Sequence, residues 1–156
     1  HCELCQSGRD ESGGDEMKPL MRTDSERLMH EGVAAAKEAF NDFLAELNWD
    51  ASEVDKTFCH QVGRAHQKLL FESLGLDLSL DYATIGRFGN TGSVALPTAA
   101  AVGIENGHLQ PNDRVAMLGI GSGINVLMLG VDWQTSPVEH KVPAPHTRSQ
   151  TAGAER

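Results

Sequence analysis

The stretch RVAMLGIGSGINVLMLGVD, residues 114–132, decides how this chain folds. Its inner part, from Val115 to Val131, carries no charge and comes close to the shortest length that serves as a membrane-spanning helix. Gly119, Gly121, Ser122 and Gly123 interrupt its middle, where a helix tolerates breaks least, and Ser122 and Asn125 would carry polar groups into lipid. Two strands, 114–120 and 125–132, folded about a Gly-Ser-Gly turn account for the same residues better, and we expect no membrane span. Strands this continuously apolar belong to a sheet covered on both faces.

Working outward toward the N-terminus, residues 93–106 read as a helix capped by Ser93, with Pro97 tolerable in its first turn and Gly107 ending it. Its small residues Ala99, Ala100, Ala101 and Gly103 suit a helix buried between layers. Before it lie a Gly-rich turn at 86–92, a short strand at 82–85 and a helix at 63–74 stopped by Gly75. A strand at 56–61 precedes that helix. Further upstream, Met29, Val33, Ala36, Phe40, Phe43 and Leu47 form one stripe of a long amphipathic helix, with Thr23 as its cap and Glu26 completing a capping box. Residues 7–18 carry loop chemistry after a short strand at 1–6. The predicted order is α/β with a mixed sheet. Three of the six prolines fall among residues 134–156, which read as a loosely attached tail behind a domain spanning 1–133.

Composition narrows the function. Of 156 residues 40% are apolar, enough for a packed core, and 13 Lys plus Arg stand against 22 Asp plus Glu. The net charge of -9 would repel nucleic acid. Residues 1–60 hold 14 acids and 6 bases, so the excess lies early and reads as a solvated face. Three cysteines, Cys2, Cys5 and Cys59, make no disulfide framework, and we expect a reducing, cytoplasmic setting. The chain opens with His1 and shows no basic, apolar leader, so we expect no signal peptide and a start truncated relative to the natural one.

Cys2-Glu-Leu-Cys5 has the spacing of half a zinc site, which His1, Cys59, His60 and His66 could complete. On a strand, residues 2 and 5 point to opposite faces, and buried inert thiols are the simpler reading, so no metal is expected. Gly119-Ile-Gly121-Ser122-Gly123 fits neither a dinucleotide fingerprint, which needs glycine where Ile124 stands, nor a hydrolase elbow, which needs serine at 121. It leaves a tight turn whose amides are either those of an ordinary hairpin or an anion or oxyanion hole.

A histidine at a strand end, His60, is followed well downstream by Asn90 in Gly89-Asn90-Thr91-Gly92-Ser93, and at a similar interval again by Ser122 of the Gly-x-Gly-Ser-Gly hairpin. Singly, these are a structural histidine and a turn asparagine. Together they resemble the C-terminal half of the thiolase-fold condensing enzymes, specifically 3-oxoacyl-(acyl-carrier-protein) synthase III. The resemblance runs from about Cys2 to Trp133. Within it, His60-Gln61-Val62-Gly63-Arg64-Ala65-His66 departs from the usual His-Gln-Ala-Asn form and looks more like the OleA branch, which joins two long-chain acyl-CoA molecules for olefinic hydrocarbon synthesis.

The resemblance implies a thiolase-like half, incomplete without an N-terminal half, and a Claisen condensation of acyl thioesters. Such a reaction passes through an enolate, whose oxygen must be held by neutral donors in a dry site. By resemblance His60 and the Asn90 amide hold the thioester oxygen, and the backbone N–H of Ser122 forms half of an oxyanion hole. His60 must be uncharged, so burial helps. The family's nucleophilic cysteine and the OleA branch's glutamate base belong to the N-terminal half. Arg64 and Lys68, four apart on one helix face, stand where the family approaches the phosphates of pantetheine, although a solvated surface pair is the safer reading. The expected partners are acyl-CoA or acyl carrier protein, the N-terminal half and a second copy in a homodimer, with no further cofactor. A non-catalytic binding or assembly module is the competing reading, and retention of His60, Asn90 and the Gly-Ser-Gly turn together argues against it.

Overall fold

The computed structural model describes residues 5–9, 19–121 and 123–135. A hairpin of β1 (Cys5–Arg9) and β2 (Pro19–Thr23), with Cys5 opposite Thr23, opens the described part. The strand expected at 1–6 therefore meets β1 only at Cys5 and Gln6, and Ser7, Gly8 and Arg9 are strand rather than loop. Because Thr23 is committed to this ladder, it does not cap the helix that follows. Asp24 does, its Oδ1 accepting the Arg27 N–H at 3.1 Å, and α1 spans Ser25–Leu47. The anticipated stripe faces inward: Val33, Ala36, Phe40 and Phe43 are buried. Asn48, left-handed at φ 53°, ends the helix.

β3 (Lys56–Cys59) lies parallel to β4 (Arg114–Gly121), and β5 (Asn125–Asp132) runs antiparallel to β4, from Arg114 opposite Asp132 to Gly121 opposite Asn125. The order β3-β4-β5 is the mixed sheet expected from the sequence, and the apolar run folds back on itself as read. Among the described residues no helix is long and apolar enough to cross a membrane.

Alternation along the strands builds two cores. On one face Cys59, Ala116 and Leu118 meet Phe40 and Phe43 of α1 and Leu70, Phe71 and Leu74 of α2 (Arg64–Leu74). On the other, Phe58 and Val115 meet Ala99 and Ala100 of α4 (Ala95–Glu105). Fully burying one such phenylalanine is worth about 1.5–3 kcal/mol, so three of them with under 3% exposure, Phe40, Phe58 and Phe71, anchor the three layers. Gly103 lets α4 sit directly on the Phe58 ring.

Coverage is incomplete on the α4 face. Leu127 is 67% and Leu129 52% exposed, and Val94, just before α4, is 53% exposed. The expectation of a sheet covered on both faces, with a helix buried between layers, therefore holds here for one face of α4 and for the α1–α2 side of the sheet only. α4 also starts later than expected. A 3-10 turn at Gly92–Val94 precedes it, so Ser93 lies inside that turn and caps nothing.

The strand expected at 82–85 is a single parallel bridge between Asp81 and Thr57. The chain then turns into α3 (Ile85–Phe88), because the Gln61 side chain takes the Thr84 and Ile85 amides that a ladder would have used. After β5, the Trp133 N–H donates to Asp113 O at 2.8 Å and closes the sheet's end. The predicted tail from residue 136 onward lies outside the described residues.

Candidate functional site

β3 stops at Cys59, one residue after which the His60 N–H still donates to Leu118 O at 3.0 Å. This bond seats the histidine at the sheet's rim. Its side chain lines a small cleft with His66, Ala36, Leu70, Leu118, Gly119, Ile120, Val126 and Met128, a wall contributed by α1, α2, β4 and β5. Two imidazoles are the cleft's titratable groups, and no described residue hydrogen-bonds the His60 ring. Burial holds the His60 pKa below its ordinary value. His66, on the first turn of α2, is lowered by burial and then by the charge His60 would carry. A neutral imidazole with free ring nitrogens in an apolar cleft can donate one hydrogen bond to an anionic oxygen and accept another.

Asn90 follows α3 by two residues, between Gly89 at φ 69° and Thr91-Gly92 at φ 63° for the second glycine. Both glycines occupy the left-handed region that favours a residue without Cβ. The Asn90 Oδ1 accepts the Gly92 N–H at 2.9 Å, an Asx turn that leaves the carboxamide NH2 without a partner among the described residues. The turn residue and the spare donor are thus one side chain. No hydrogen bond joins His60 to Asn90, which is exposed and does not line the cleft.

Arg64 and Lys68 are both exposed on α2. Lys68 pairs with Glu72 at 3.7 Å, a solvent-screened contact, while Arg64 reaches toward Gly86 of α3, where its Nη2 stands 3.2 Å from the position a Cβ would take. Ser122 lies outside the described residues. So do His1 and Cys2, the first half of the zinc motif, and among the described residues no three His, Cys, Asp or Glu side chains converge as metal ligands do.

Cys59 is not available as a nucleophile. His60 lies past the strand's end and shares its cleft with Leu70 and Leu118, which belong to the same core as Cys59. What disables the thiol is its setting: 1% exposed, with Sγ donating to Asp81 Oδ2 at 3.2 Å, and its pKa driven far up by burial and then by the Asp81 charge. Asp81 accepts from four donors: the Thr57 hydroxyl, the Cys59 N–H, the Cys59 thiol and the Gln67 amide. Burial nonetheless raises its pKa.

Sequence reasoning did not single out Gln61 or Asp81, and it weighed His66 only as a metal ligand. Gln61 is 3% exposed, donates to Cys59 O at 2.9 Å and accepts from Thr84 N–H at 3.1 Å and Ile85 N–H at 3.0 Å. A buried glutamine has no periodic signature; its one signal is adjacency to His60 in the quoted motif.

Residues 44–133 match the family described as 3-oxoacyl-[acyl-carrier-protein] synthase III, C-terminal. The chain is 43% identical over 133 residues to an acyl-CoA:acyl-CoA alkyltransferase of Shewanella oneidensis, covering 85% of this chain and 38% of that protein. It is 28% identical over 96 residues to a beta-ketoacyl-[acyl-carrier-protein] synthase III of Staphylococcus saprophyticus, 62% of this chain and 31% of that one. The crystal structure of cerulenin-bound OleA from Xanthomonas campestris superposes with a TM-score of 0.71 at 34% identity, over 84% of this chain and 36% of that one. The chain thus spans well under two thirds of these relatives, and what it matches is a thiolase-like half with helices on a mixed sheet. With the family match reaching from the end of α1 to Trp133, this chain belongs to the 3-oxoacyl-[acyl-carrier-protein] synthase III C-terminal family.

Proposed function

We propose that this chain is the C-terminal catalytic half of an acyltransferase that performs a Claisen condensation of acyl thioesters to 3-oxoacyl products, in fatty acid or olefinic hydrocarbon synthesis. The observation that carries the reading is His60: a histidine kept below its ordinary pKa by burial, its ring unpartnered among the described residues, at the rim of an apolar cleft. Removing a proton alpha to a thioester places negative charge on the thioester oxygen. Neutral donors from His60 and the spare Asn90 NH2 stabilise that enolate without trapping it by full protonation. The enolate carbon then attacks the acyl group held on a cysteine of the N-terminal half. The Ser122 N–H supports the resulting oxyanion until the thiolate leaves.

The carrier in this reading is acyl-CoA or acyl carrier protein, whose pantetheine phosphates meet Arg64 and Lys68, and no other cofactor takes part. Residues 1–133 form the domain and 134–156 an appended tail. The N-terminal half supplies nucleophile and base, and the complete enzyme is a cytoplasmic homodimer; a buried, free Cys59 fits a reducing compartment.

In the complete enzyme, His60→Ala and Asn90→Ala should each suppress condensation by about 10²- to 10³-fold while acyl loading of the cysteine stays near the parental rate. Loading is read by mass of the acyl-enzyme and condensation by product. Equal loss of both steps would remove these roles, and unchanged condensation would favour a non-catalytic module.

A further inference from the structure

His60 and Asn90 lie far apart in sequence and share no hydrogen bond, so their separation is set by whatever ties the segment before Asn90 to the end of β3. The amide of Gln61 makes that tie. Its Nε2 donates to Cys59 O at 2.9 Å, on the residue preceding His60. Its Oε1 accepts from Thr84 N–H at 3.1 Å and Ile85 N–H at 3.0 Å, the two amides that open α3. α3 spans only four residues and ends at Gly89, directly before Asn90. One side chain therefore grips both ends of the geometric problem. It is 3% exposed and Thr84 is 5% exposed, so water does not take over these bonds.

A second tie runs in parallel. Asp81 receives Thr57, Cys59 and Gln67, and the Tyr82 N–H donates to Thr57 O at 3.2 Å, which docks the segment one strand register earlier. That tie fixes where the segment starts along β3. It leaves the start of α3 to Gln61, because among the described residues no other side chain accepts the Thr84 or Ile85 amide.

We propose that Gln61 is a positioning residue: its carboxamide, bridging Cys59 O to the Thr84 and Ile85 amides, sets the distance between the two enolate-binding donors. The inference rests on the roles given above to His60 and Asn90. It adds that the reach of one glutamine, rather than contact between the donors, makes them converge on a single oxygen. Shortening or removing that reach displaces α3 and carries Asn90 with it.

The test has two arms. In the 156-residue chain, Gln61→Met keeps the side chain's bulk and removes the bridge, so the Thr84 and Ile85 amide protons should exchange about tenfold faster or more while the β4–β5 ladder is unchanged. Gln61→Glu retains the acceptor, and once protonated it also regains a donor toward Cys59 O, so lowering the pH should restore the protection in this variant alone. In the complete enzyme, Gln61→Met should cut condensation by about 10²-fold, as misplacement by an ångström does, with acyl loading spared and partial recovery in Gln61→Glu. Unaltered exchange at Thr84 and Ile85 overturns the bridge. Faster exchange with an unaltered ratio of condensation to loading overturns positioning, provided His60→Ala suppresses condensation. If His60→Ala leaves condensation intact, the failure is that of the donor roles, and the positioning proposal falls with them.

Discussion

Gly103→Ala is the sharpest probe of how α4 is seated, because two effects of opposite sign compete at one position. A Cβ on residue 103 would stand 2.5 Å from Phe58 Cε1 and 3.1 Å from both Phe58 Cζ and Tyr82 Cγ. Carbon contacts are comfortable at about 3.5–4.0 Å, so α4 would have to withdraw from β3 by about 1 Å or the ring would have to move. The ring has little freedom. Phe58 is fully buried, with the His108 ring centroid at 5.6 Å and that of Tyr82 at 6.5 Å. Overpacking of this kind costs about 1–3 kcal/mol, and the immobile ring argues for the upper half of that range. Replacing a helical glycine by alanine returns about 1 kcal/mol of helix propensity. The net expectation is a loss of about 1–2 kcal/mol, read as a Tm lower by about 2–8 °C for a chain of this size. Trp49 and Trp133, each packed against a core cluster, report the transition by fluorescence. Phe58→Leu should relieve the clash, so the double variant should be less damaged than the sum of the singles, by about 0.5 kcal/mol or more. A Gly103→Ala chain as stable as the parent, or more so, would show that propensity wins and that α4 is free to shift.

Protonation should weaken the fold on acidification from neutrality. Burial lowers the pKa of His60, His66 and His108, so below about 6.5 the unfolded chain binds more protons than the folded one and stability falls with pH. Asp81 acts in the opposite sense: its raised pKa means the folded chain binds the extra proton, so its contribution grows as pH falls through its folded pKa toward the ordinary 3.8. Urea midpoints measured from about pH 8 to about pH 5 should therefore decline below about 6.5, and a flat profile would contradict the burial of the histidines. The chain alone should also associate through Leu127 and Leu129, and Leu127→Lys with Leu129→Lys should lower the apparent mass in sedimentation. A monomer that melts cooperatively and ignores an added N-terminal half would refute that reading.

The apolar run at 115–131 was legible because its physics is local: a charge-free stretch broken by a glycine turn needs no distant partner to be recognised. α1 and α2 were equally plain, from a stripe and from Gly75 in the left-handed region at φ 70°. The misreadings share a different cause. Tyr82 to Ile85 looks like a strand until Gln61, far back in the chain, takes two of its amides. Thr23 looks like a cap until Cys5 claims it for a hairpin. At the candidate site His60 and Asn90 stood out through the family resemblance that their motifs carry. Gln61 and Asp81 did not, since a buried polar group is intelligible only from the donors and acceptors around it.

The parallel pairing of β3 with β4 also orders events in time. Lys56 must find Val115 across α2, α3 and α4, whereas β4 meets β5 through a turn of a few residues. The hairpin can close within about 1–10 μs, long before a parallel ladder with so large a loop. During synthesis β3 emerges first yet waits for the last strands of the sheet. Until they arrive, His60 has no Leu118 carbonyl to bind and no rim to sit on, so the site is among the last features to assemble.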